Sequence, residues 1–282
     1  VKVKDYGRDP NAAITSAMKR DRLTKVGYEE KKLRYQTVVS LRAAAEKSGI
    51  ALNDAGGIVE RLRAIKDRQE LAQMRKAITH TLFAFDYLEN IIQPGMTEKS
   101  LLIEAERILK VNADPELAFD PIIAAGVSSA KPHYKGVSGR LAPDTGVLID
   151  MGCRVDGYCA DLTRMFFLGT IPGKLTKIRS IVDKASDRAI KKIKPGVSAS
   201  AVDAAARSWI EKHGYGRCFG HGTGHGVGLN VHEAPTLSPE SSDILQEGMV
   251  VTIEPGIYIP KVGGYRQEHM VLVTGKGYEV LA

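Results

Sequence analysis

Long apolar segments are missing from this sequence of 282 residues. No run approaches the roughly 18 to 20 apolar residues that a membrane-spanning helix requires, and no positively charged and then apolar leader opens the chain as it stands. We therefore expect a protein that does not contact a membrane. Hydrophobic residues make up 43% of the chain and charged residues 26%, which is typical of a globular protein with one large core.

Cysteine is scarce as well. The chain has three cysteines, Cys153, Cys159 and Cys218, and none of them forms a CxxC pair with another. An odd number of scattered cysteines argues against the disulfide framework of a secreted protein. We expect reduced thiols and a cytoplasmic location.

A concentrated positive patch is also missing from most of the chain. The formal net charge is +7, but residues 1–70 hold 16 Lys and Arg against 10 Asp and Glu, so the other 212 residues carry only +1. The basic residues of the first segment are scattered among acids without interleaved aromatic residues, and no recognised nucleic-acid motif accompanies them. Nucleic acid is therefore not an expected partner.

What the sequence does contain is two apolar β-hairpins that are each interrupted by acids. Residues 147–168 read as two apolar strands around the turn signal Asp156-Gly157, with Asp150 on one strand and Asp161 on the other. Residues 249–274 follow the same plan and carry Glu254 and Glu268. A carboxylate within a buried strand is costly to desolvate, so each of the four requires a cation, a hydrogen-bond network or a metal.

The two hairpins belong to an internal repeat. The segment VTIEPG of residues 251–256 aligns with VLIDMG of residues 147–152 at an offset of 104, and IQPGMT of residues 92–97 aligns with IKPGVS of residues 193–198 at an offset of 101. This alignment places Asp150 and Glu254 at equivalent positions. The chain therefore contains two similar halves.

Elements of α and β structure are predicted before and within these halves. Residues 1–65 alternate in an α/β pattern, with strands at 1–6, 23–28 and 50–53 and helices at 12–22 and 31–47. Apolar residues at spacings of three and four then predict one long amphipathic helix from Ile58 to Pro94. Further helices are predicted at 97–111, 175–193 and 198–213, and a further strand at 118–125.

Histidine is concentrated in one glycine-rich segment, residues 220–235. His221, His225 and His232 lie within twelve residues among five glycines, at a spacing that fits neither a plain helix nor a plain strand. Glycine at so many positions suggests that the backbone passes close to another surface or to a ligand. Single loop histidines are usually not ligands, but three of them in the half that also carries Glu254 and Glu268 favour a metal site.

The candidate metal ligands are four acids and one imidazole: Asp150, Asp161, His225, Glu254 and Glu268. Four carboxylates at about 4 Å from one another would repel strongly, and two divalent cations held by bridging carboxylates would balance them. Oxygen-rich ligation with one imidazole favours manganese, cobalt or zinc over copper or an iron–sulfur cluster. The alternative is that the acids pair with Arg154, Arg164 and Arg266, which would leave the repeat of acid on acid unexplained.

Five separated motifs connect these residues with a known family. In chain order they read LIDMG, YCADLTR, HGTGHGVGLNVHEAP, TIEPGIY and YRQEHMVLVT. Together they resemble the pita-bread (M24) metallopeptidases, which comprise prolidase, Xaa-Pro aminopeptidase and methionine aminopeptidase, over about residues 58–282. The resemblance implies an α+β pita-bread fold of two pseudo-symmetric halves in residues 66–282, preceded by a truncated creatinase-like α/β domain in residues 1–65.

The resemblance also implies a role for each candidate ligand. Asp150 would bind one metal and His225 the other. Asp161 and Glu268 would bridge both ions. Glu254 would be a ligand that also carries a proton to the leaving amine.

Four further residues match other active-site positions of the family. His133 would contact the substrate, and His232 would stabilise the tetrahedral intermediate. His221 and Arg266 match positions of the proline-specific members. The resemblance thus implies hydrolysis of Xaa-Pro bonds in peptides with proline at the second position, two divalent ions with manganese favoured, and a homodimer.

Three features favour the prolidase and Xaa-Pro aminopeptidase branch. These are His221 four positions before the metal histidine, Arg266 two positions before the last ligand, and a preceding α/β domain that ends in a segment like IVERLRAIK. Two features depart from it. His269 follows Glu268 where many proline-specific relatives have Asp, as in methionine aminopeptidase, and the N-terminal domain is about half the usual length.

Three other functions therefore remain as alternatives. Methionine aminopeptidase would release Met from Met-Ala peptides and leave Xaa-Pro bonds intact. A creatinase-like enzyme would hydrolyse another C–N bond, although all five ligand positions are filled here. A pita-bread peptide-binding module without activity is the last alternative, and metal-dependent turnover would exclude it.

Overall fold

The computed structural model describes residues 9–29, 32–111 and 116–282. The chain divides into two compact units, Val1–Arg61 and Leu62–Ala282. The strand predicted at residues 1–6 lies outside the described residues. Within them, no helix is both long and apolar enough to cross a membrane.

The first unit is a small α/β arrangement. Helix α1 (Pro10–Arg20) precedes strand β1 (Lys25–Tyr28), and α2 (Tyr35–Glu46) precedes β2 (Ala51–Asp54). The side chain of Asp9 caps α1 by accepting a hydrogen bond from the Ala12 amide, which supplies a partner for a free helix N–H. Strands β1 and β2 pair in parallel, as an intervening helix allows.

The long helix predicted from Ile58 to Pro94 is wrong, because two helices occupy this stretch. Helix α3 (Ile58–Ala64) ends before α4 (Arg68–Ile91) begins. Asp67 forms a capping box with Glu70 at the start of α4, and Ile65 forms an isolated antiparallel bridge with Met249. The apolar period continues across the break, so periodicity alone does not reveal it.

The second unit repeats one sequence of elements. Its first half contains α4, α5 (Glu98–Val111), β3 (Glu116–Leu117), β4 (Ile122–Ala125), a 3-10 turn (Gly126–Ala130), β5 (Thr145–Met151), β6 (Cys153–Val155), β7 (Tyr158–Cys159) and β8 (Leu162–Leu168). Its second half contains α6 (Gly173–Ile190), α7 (Ala199–Lys212), a 3-10 turn (Gly216–Cys218), β9 (Gly224–Gly226), β10 (Glu233–Leu237), β11 (Val250–Ile253), β12 (Gly256–Ile259), β13 (Gly263–Arg266), β14 (His269–Thr274) and β15 (Gly277–Val280).

Each acidic hairpin consists of an outer and an inner strand pair. In the first hairpin, β5 pairs with β8 and β6 pairs with β7. In the second, β11 pairs with β14 and β12 pairs with β13. The outer and inner pairs belong to different sheets, so each hairpin is interrupted on both of its strands.

Two separate apolar clusters form the core among the described residues of the second unit. The helices α4 and α5 contribute Met74, Leu88 and Leu101 to the first cluster, which also includes Val250 and Met270 from strands of the second half. The helices α6 and α7 contribute Ile178 and Ile210 to the second cluster. These side chains are fully or almost fully buried, and removal of such apolar surface from water is the main stabilising contribution to folding.

Candidate metal centre

The carboxylates lie at or beside the interruptions of the hairpins. Asp161 lies between β7 and β8, Glu254 between β11 and β12, and Glu268 between β13 and β14. Asp150 is the next-to-last residue of β5, opposite Thr163 of β8. Because the chain leaves the outer sheet at these points, both hairpins present acids at the same region of the second unit.

The glycine-rich segment places a histidine beside these acids. Residues Gly224 to Gly226 form β9, which pairs with β11 on one side and β10 on the other. A Cβ at Gly224 would overlap the Thr252 carbonyl, and a Cβ at Gly226 would overlap the Ala234 carbonyl. The glycines therefore permit close approach to neighbouring strands, which was one of the two explanations that the sequence allowed.

Short distances join the imidazole of His225 to both hairpins. Its Nε2 lies 3.5 Å from Oδ2 of Asp161 and 3.4 Å from Oε1 of Glu254. Ligand atoms within 4.8 Å of one another define three groups: Asp161, His225 and His232; His225, Glu254 and Glu268; and Asp150, Asp161 and Glu268. Shared members connect the three groups into one centre.

The tautomer of His225 suits a metal ligand. Its Nδ1 lies 3.1 Å from the Gly226 carbonyl, which can only accept a hydrogen bond, so Nδ1 carries the proton and Nε2 has a free lone pair. Burial, with a smaller contribution from His232, lowers the pKa of His225 to about 4. The imidazole is therefore neutral near pH 7, as coordination requires.

Burial raises the pKa of every carboxyl group in the cluster. The rise is large for Asp161 and Glu268, where neighbouring carboxylates add to the effect, and it brings the pKa of Glu254 to about 8. For Asp150, the nearby guanidinium of Arg266 offsets part of the rise. Without bound cations the four groups cannot all be ionised at neutral pH.

Arg266 is the main cationic partner of the acids. Its Nη2 lies 2.6 Å from Oδ2 of Asp150, and its Nε donates to Oγ1 of Thr163, whose hydroxyl donates in turn to Glu268. The pairing of acids with arginines that the sequence left as an alternative is thus realised for Asp150. By contrast, Arg164 donates to the main-chain carbonyl of Glu268.

The carboxylate oxygens that Arg266 does not pair with are suited to bind cations. Four carboxylates and one guanidinium leave a formal charge of −3, so one divalent cation would still leave the cluster negative. The Oδ1 atom of Asp150 is buried without a hydrogen-bond partner among the described residues. A buried carboxylate oxygen in that state is costly unless a cation or water meets it. The donor set, oxygen-rich with one neutral imidazole, is that of divalent metals such as manganese, cobalt and zinc.

A second imidazole, that of His221, is held by a tyrosine. The Nδ1 of His221 donates to the Gly222 carbonyl, and its Nε2 accepts from the hydroxyl of Tyr258 at 2.9 Å. The same hydroxyl accepts a hydrogen bond from Nη1 of Arg266 at 2.9 Å. Burial lowers the pKa of His221 to about 4, so this ring is also neutral.

An ion pair on α7 supports the main chain around His221. Arg207 and Asp203 form two hydrogen bonds of 2.7 and 2.8 Å, and Nη2 of Arg207 donates to the His221 carbonyl. Asp203 also accepts from the amide and the hydroxyl of Thr223. The Thr223 carbonyl in turn accepts from the amide of Glu254, so hydrogen bonds link α7 to the backbone of both His221 and Glu254.

The loop that carries His133 is anchored by a buried acid. Glu98, at the start of α5, accepts hydrogen bonds from the amides of Ala125 and Gly139 and from the hydroxyl of Tyr134. On the opposite side, the Pro132 carbonyl accepts from Arg266. The His133 side chain is exposed between these anchors.

All nine residues that the sequence singled out line one cavity of about 500 Å³. They are His133, Asp150, Asp161, His221, His225, His232, Glu254, Arg266 and Glu268. Phe119, Ile122 and Val231 add apolar surface to the wall, which can accommodate an apolar part of a ligand. Glu268 faces the cavity, whereas Nδ1 of its neighbour His269 lies 2.9 Å from the Ala282 carbonyl.

Sequence reasoning missed the residues that hold this site together. Tyr258 joins His221 to Arg266, and Asp203 and Arg207 lie on a helix without any motif. Tyr258 belongs to the TIEPGIY segment, so its position was visible but its partners were not. The two α7 residues have an (i, i+4) spacing, which is common on solvent-exposed helix faces and gave no distinct signal.

Comparisons with known proteins agree with this geometry. The sequence matches the metallopeptidase family M24 over residues 72–275. It is 37% identical over 257 residues to an uncharacterised peptidase of Bacillus subtilis, and the match covers 90% of this chain and 72% of that protein. It is 40% identical over 220 residues to the Xaa-Pro dipeptidase of Pyrococcus furiosus, covering 78% of this chain but 63% of that protein.

Solved structures are similar over nearly the whole chain. The X-Pro aminopeptidase of Thermotoga maritima superposes with a TM-score of 0.89 at 32% identity, covering 99% of this chain and 78% of that one. The Pyrococcus furiosus prolidase superposes with a TM-score of 0.88 at 35% identity, covering 100% and 80%. The predicted α+β pita-bread fold is confirmed. Its acids, its neutral imidazoles and these relatives together place the chain in the metallopeptidase family M24.

Proposed function

We propose that this metallopeptidase hydrolyses Xaa-Pro peptide bonds with two divalent metal ions. The observation that carries the proposal is the convergence of four carboxylates and the neutral His225 on one cavity whose wall also contains His221 and Arg266. The names of the Thermotoga and Pyrococcus relatives support the choice of proline as the second residue. The chain spans 63% of the Pyrococcus dipeptidase, so the substrate of the whole protein belongs to the proposal.

The proposed ligands are Asp150, Asp161, His225, Glu254 and Glu268. The three groups of ligand atoms overlap in Asp161, His225 and Glu268, which suits ions that share bridging ligands. Manganese is the first candidate, and cobalt and zinc are the others. When bound, such ions supply a nucleophilic water near neutral pH and polarise the carbonyl group that is attacked.

Glu254 is the proposed proton carrier. It lies 3.4 Å from His225 at the edge of the carboxylate cluster, and in the metal-free protein burial raises its pKa to about 8. Bound divalent cations would lower this pKa, so Glu254 would be ionised in the loaded site and could accept a proton. Glu254 would take a proton from water and pass it to the secondary amine of the leaving proline.

The remaining cavity residues would orient the substrate. His232 lies within reach of Asp161 and His225, and its imidazole would donate to the developing oxyanion. His133, exposed on its anchored loop, would contact the peptide chain. His221 and Arg266 are joined through Tyr258 and would form a fixed wall beside the scissile bond.

The test is a peptidase assay with purified protein. Metal-stripped protein is incubated with Gly-Pro, Ala-Pro and a longer Xaa-Pro peptide after addition of Mn, Co or Zn, and again after chelation. We expect metal-dependent release of the first residue from at least one of them. Exclusive release of Met from a Met-Ala peptide would favour methionine aminopeptidase, and absence of any turnover with metal bound would favour a binding module.

A homodimer and a cytoplasmic location remain predictions from the sequence. Size-exclusion chromatography with light scattering would test the first, and fractionation of the source cells would test the second.

A further inference from the structure

An ion cluster next to the metal centre joins two sequence segments that the proposed reaction leaves unexplained. Glu233 directly follows His232, and Arg63 and Lys66 belong to the segment of residues 58–66. The Nζ of Lys66 lies 2.7 Å from Oε1 of Glu233, and Nη2 of Arg63 lies 2.8 Å from Oε2. The residue beside a proposed catalytic histidine is thus tied to the junction between α3 and α4.

This cluster is buried to an unusual degree for charged side chains. The side chain of Lys66 is 1% exposed and that of Glu233 is 8% exposed, whereas that of Arg63 is 24% exposed. Desolvation of two charges can cost more free energy than their attraction returns, so the pair is a poor device for stability alone. A role in fixing the local backbone geometry accounts better for the presence of the buried Lys66–Glu233 pair.

The carboxylate of Glu233 is fully engaged, although it reaches the wall of the cavity. Lys66 binds one oxygen, while Arg63 and the amide of Asn230, at 3.4 Å, meet the other. The main chain of Lys66 is itself fixed, because its amide donates to the Gly248 carbonyl at 2.8 Å. Glu233 is therefore arranged to hold the loop of residues 228–233, whose last residue begins β10, rather than to bind a substrate amine.

Gly228, at the start of this loop, shows how closely the cluster packs. A Cβ at Gly228 would overlap the carboxylate of Glu233 and come within 2.9 Å of Cε of Lys66. The Gly228 carbonyl accepts a hydrogen bond from the Cys159 amide, so its backbone has little freedom to move away. The loop backbone and the ion cluster thus constrain each other.

His232 lies in this loop, and its ring centroid lies 4.2 Å from that of His225. We propose that Lys66, Glu233 and Arg63 are positioning residues that fix the loop of residues 228–233 and thereby hold the His232 imidazole over the metal centre. The inference rests on the proposed function only for the role of His232. The anchoring of the loop is a separate property.

The first test is a double-mutant cycle between Glu233 and His232. The variant Glu233→Gln should lower kcat on an Xaa-Pro peptide by roughly 10- to 100-fold with little change in KM, because the catalytic imidazole loses its position. In the His232→Ala background, the same substitution should change kcat by less than about 2-fold. Equal losses in both backgrounds would overturn the proposal, since a general structural defect would act independently of His232.

A second pair of variants separates positioning from stability. Lys66→Met leaves Arg63 as the one cationic partner of the buried Glu233 among the described residues and should lower the melting temperature strongly. The double variant Lys66→Met/Glu233→Gln removes both buried charges, so its melting temperature should recover while kcat stays low. Recovery of kcat together with the melting temperature would contradict a positioning role.

The third measurement does not depend on activity. Hydrogen–deuterium exchange of metal-free protein should show faster exchange in residues 228–233 of Glu233→Gln than of the wild type, with α4 unchanged. Unchanged exchange in this loop would refute the anchoring, even if the protein hydrolysed no Xaa-Pro peptide and the proposed function had failed. The control is Arg75→Gln, which removes the half-exposed ion pair with Glu279 and should alter neither loop exchange nor kcat.

Discussion

The two acidic hairpins have the same architecture but different chemistry. The first supplies Asp150 and Asp161 to the centre, and its inner strand pair, β6 and β7, is short. The second supplies Glu254 and Glu268, and its inner pair, β12 and β13, also carries Tyr258 and Arg266 into the site. Both halves therefore place acids at corresponding points of their hairpins, whereas Tyr258 and Arg266, which contact His221 and Asp150, lie in the second half.

The same difference extends to the strands beside the hairpins. In the first half, β5 lies between β4 and β8, and the register places Ala124 opposite Leu148, which aligns with Thr252. In the second half, β11 lies between β9 and β14, and β9 carries His225. An apolar neighbour in one half thus corresponds to an imidazole in the other. Equivalent scaffold positions do not imply equivalent function.

Loss of a shared acid should have the largest effect. Asp161→Ala removes a carboxylate that belongs to two of the three ligand groups, so activity should fall by roughly 1000-fold or more and bound metal should decrease. Activity with excess metal and metal content by elemental analysis would measure this. Glu268→Ala in the second hairpin is the matched variant, and a much smaller loss there would show that the two halves do not contribute equally. Wild-type turnover by Asp161→Ala would contradict the site.

Substitution of one arginine in each hairpin, Arg266 and Arg164, should lower activity less, and by unequal amounts. Arg266→Lys keeps the charge but cannot reach Asp150, Thr163 and Tyr258 together, so kcat should fall by about 10- to 100-fold with metal content retained. Arg164→Lys in the first hairpin loses hydrogen bonds to main-chain carbonyls and should cost less than about 5-fold. Equal losses would show that the guanidinium network is not specific to the second half.

Metal-free protein should lose stability as the pH rises from about 6.5 to 8. The folded pKa values of Asp150, Asp161, Glu254 and Glu268 are raised, that of Glu254 to about 8, so their stabilising contribution is complete below the unfolded values and is lost as the pH passes through the folded values. His221 and His225 have lowered pKa values, and they destabilise the fold only below about pH 6.5.

Urea unfolding of chelated protein at several pH values would measure this dependence, and saturating metal should abolish or reverse it between pH 6.5 and 8. A metal-free protein that gains stability over this range would show that the carboxylates are not crowded together.

Removal of one tyrosine hydroxyl should have the smallest effect. Tyr258→Phe breaks the link between His221 and Arg266 and should lower kcat/KM on an Xaa-Pro peptide by about 5- to 10-fold. Tyr265→Phe is the control in the same strand pair, because its buried hydroxyl donates to Asp183 instead. Tyr265→Phe should cost about 1 kcal/mol of stability and leave kcat/KM within about 2-fold. Equal losses of kcat/KM in Tyr258→Phe and Tyr265→Phe would show that the link from His221 to Arg266 through Tyr258 does not contribute to activity.

Much of the site could be predicted because its residues lie in short motifs, one of which places Asp150 and Glu254 at equivalent positions of the two halves. The acids of the hairpins stand out since carboxylates within apolar strands demand an explanation, and the glycines around His225 stand out for their density. The supporting contacts could not be predicted. Arg207 donates a hydrogen bond from α7 to the His221 carbonyl. Glu98 accepts hydrogen bonds from Tyr134 and Gly139 in the loop of His133, about forty residues later in the sequence.

The break between α3 and α4 could not be predicted from the sequence either, because it depends on contacts between residues that are distant in sequence. The apolar spacing from Ile58 onward is helical throughout, and the amino acids around Ile65 do not forbid a helix. Contacts with Met249 and Glu233, both distant in sequence, select the break instead. Local propensity is a weak preference that tertiary contacts override.

The sequence by itself determined the two-halved architecture and the identity of the acidic and imidazole groups, because periodicity and residue type are local properties. Only the tertiary structure decided which charges meet: Arg266 with Asp150, His225 between Asp161 and Glu254, and Lys66 with Glu233. Electrostatic interactions depend on distance and burial, which fold geometry sets and a linear order of residues does not contain.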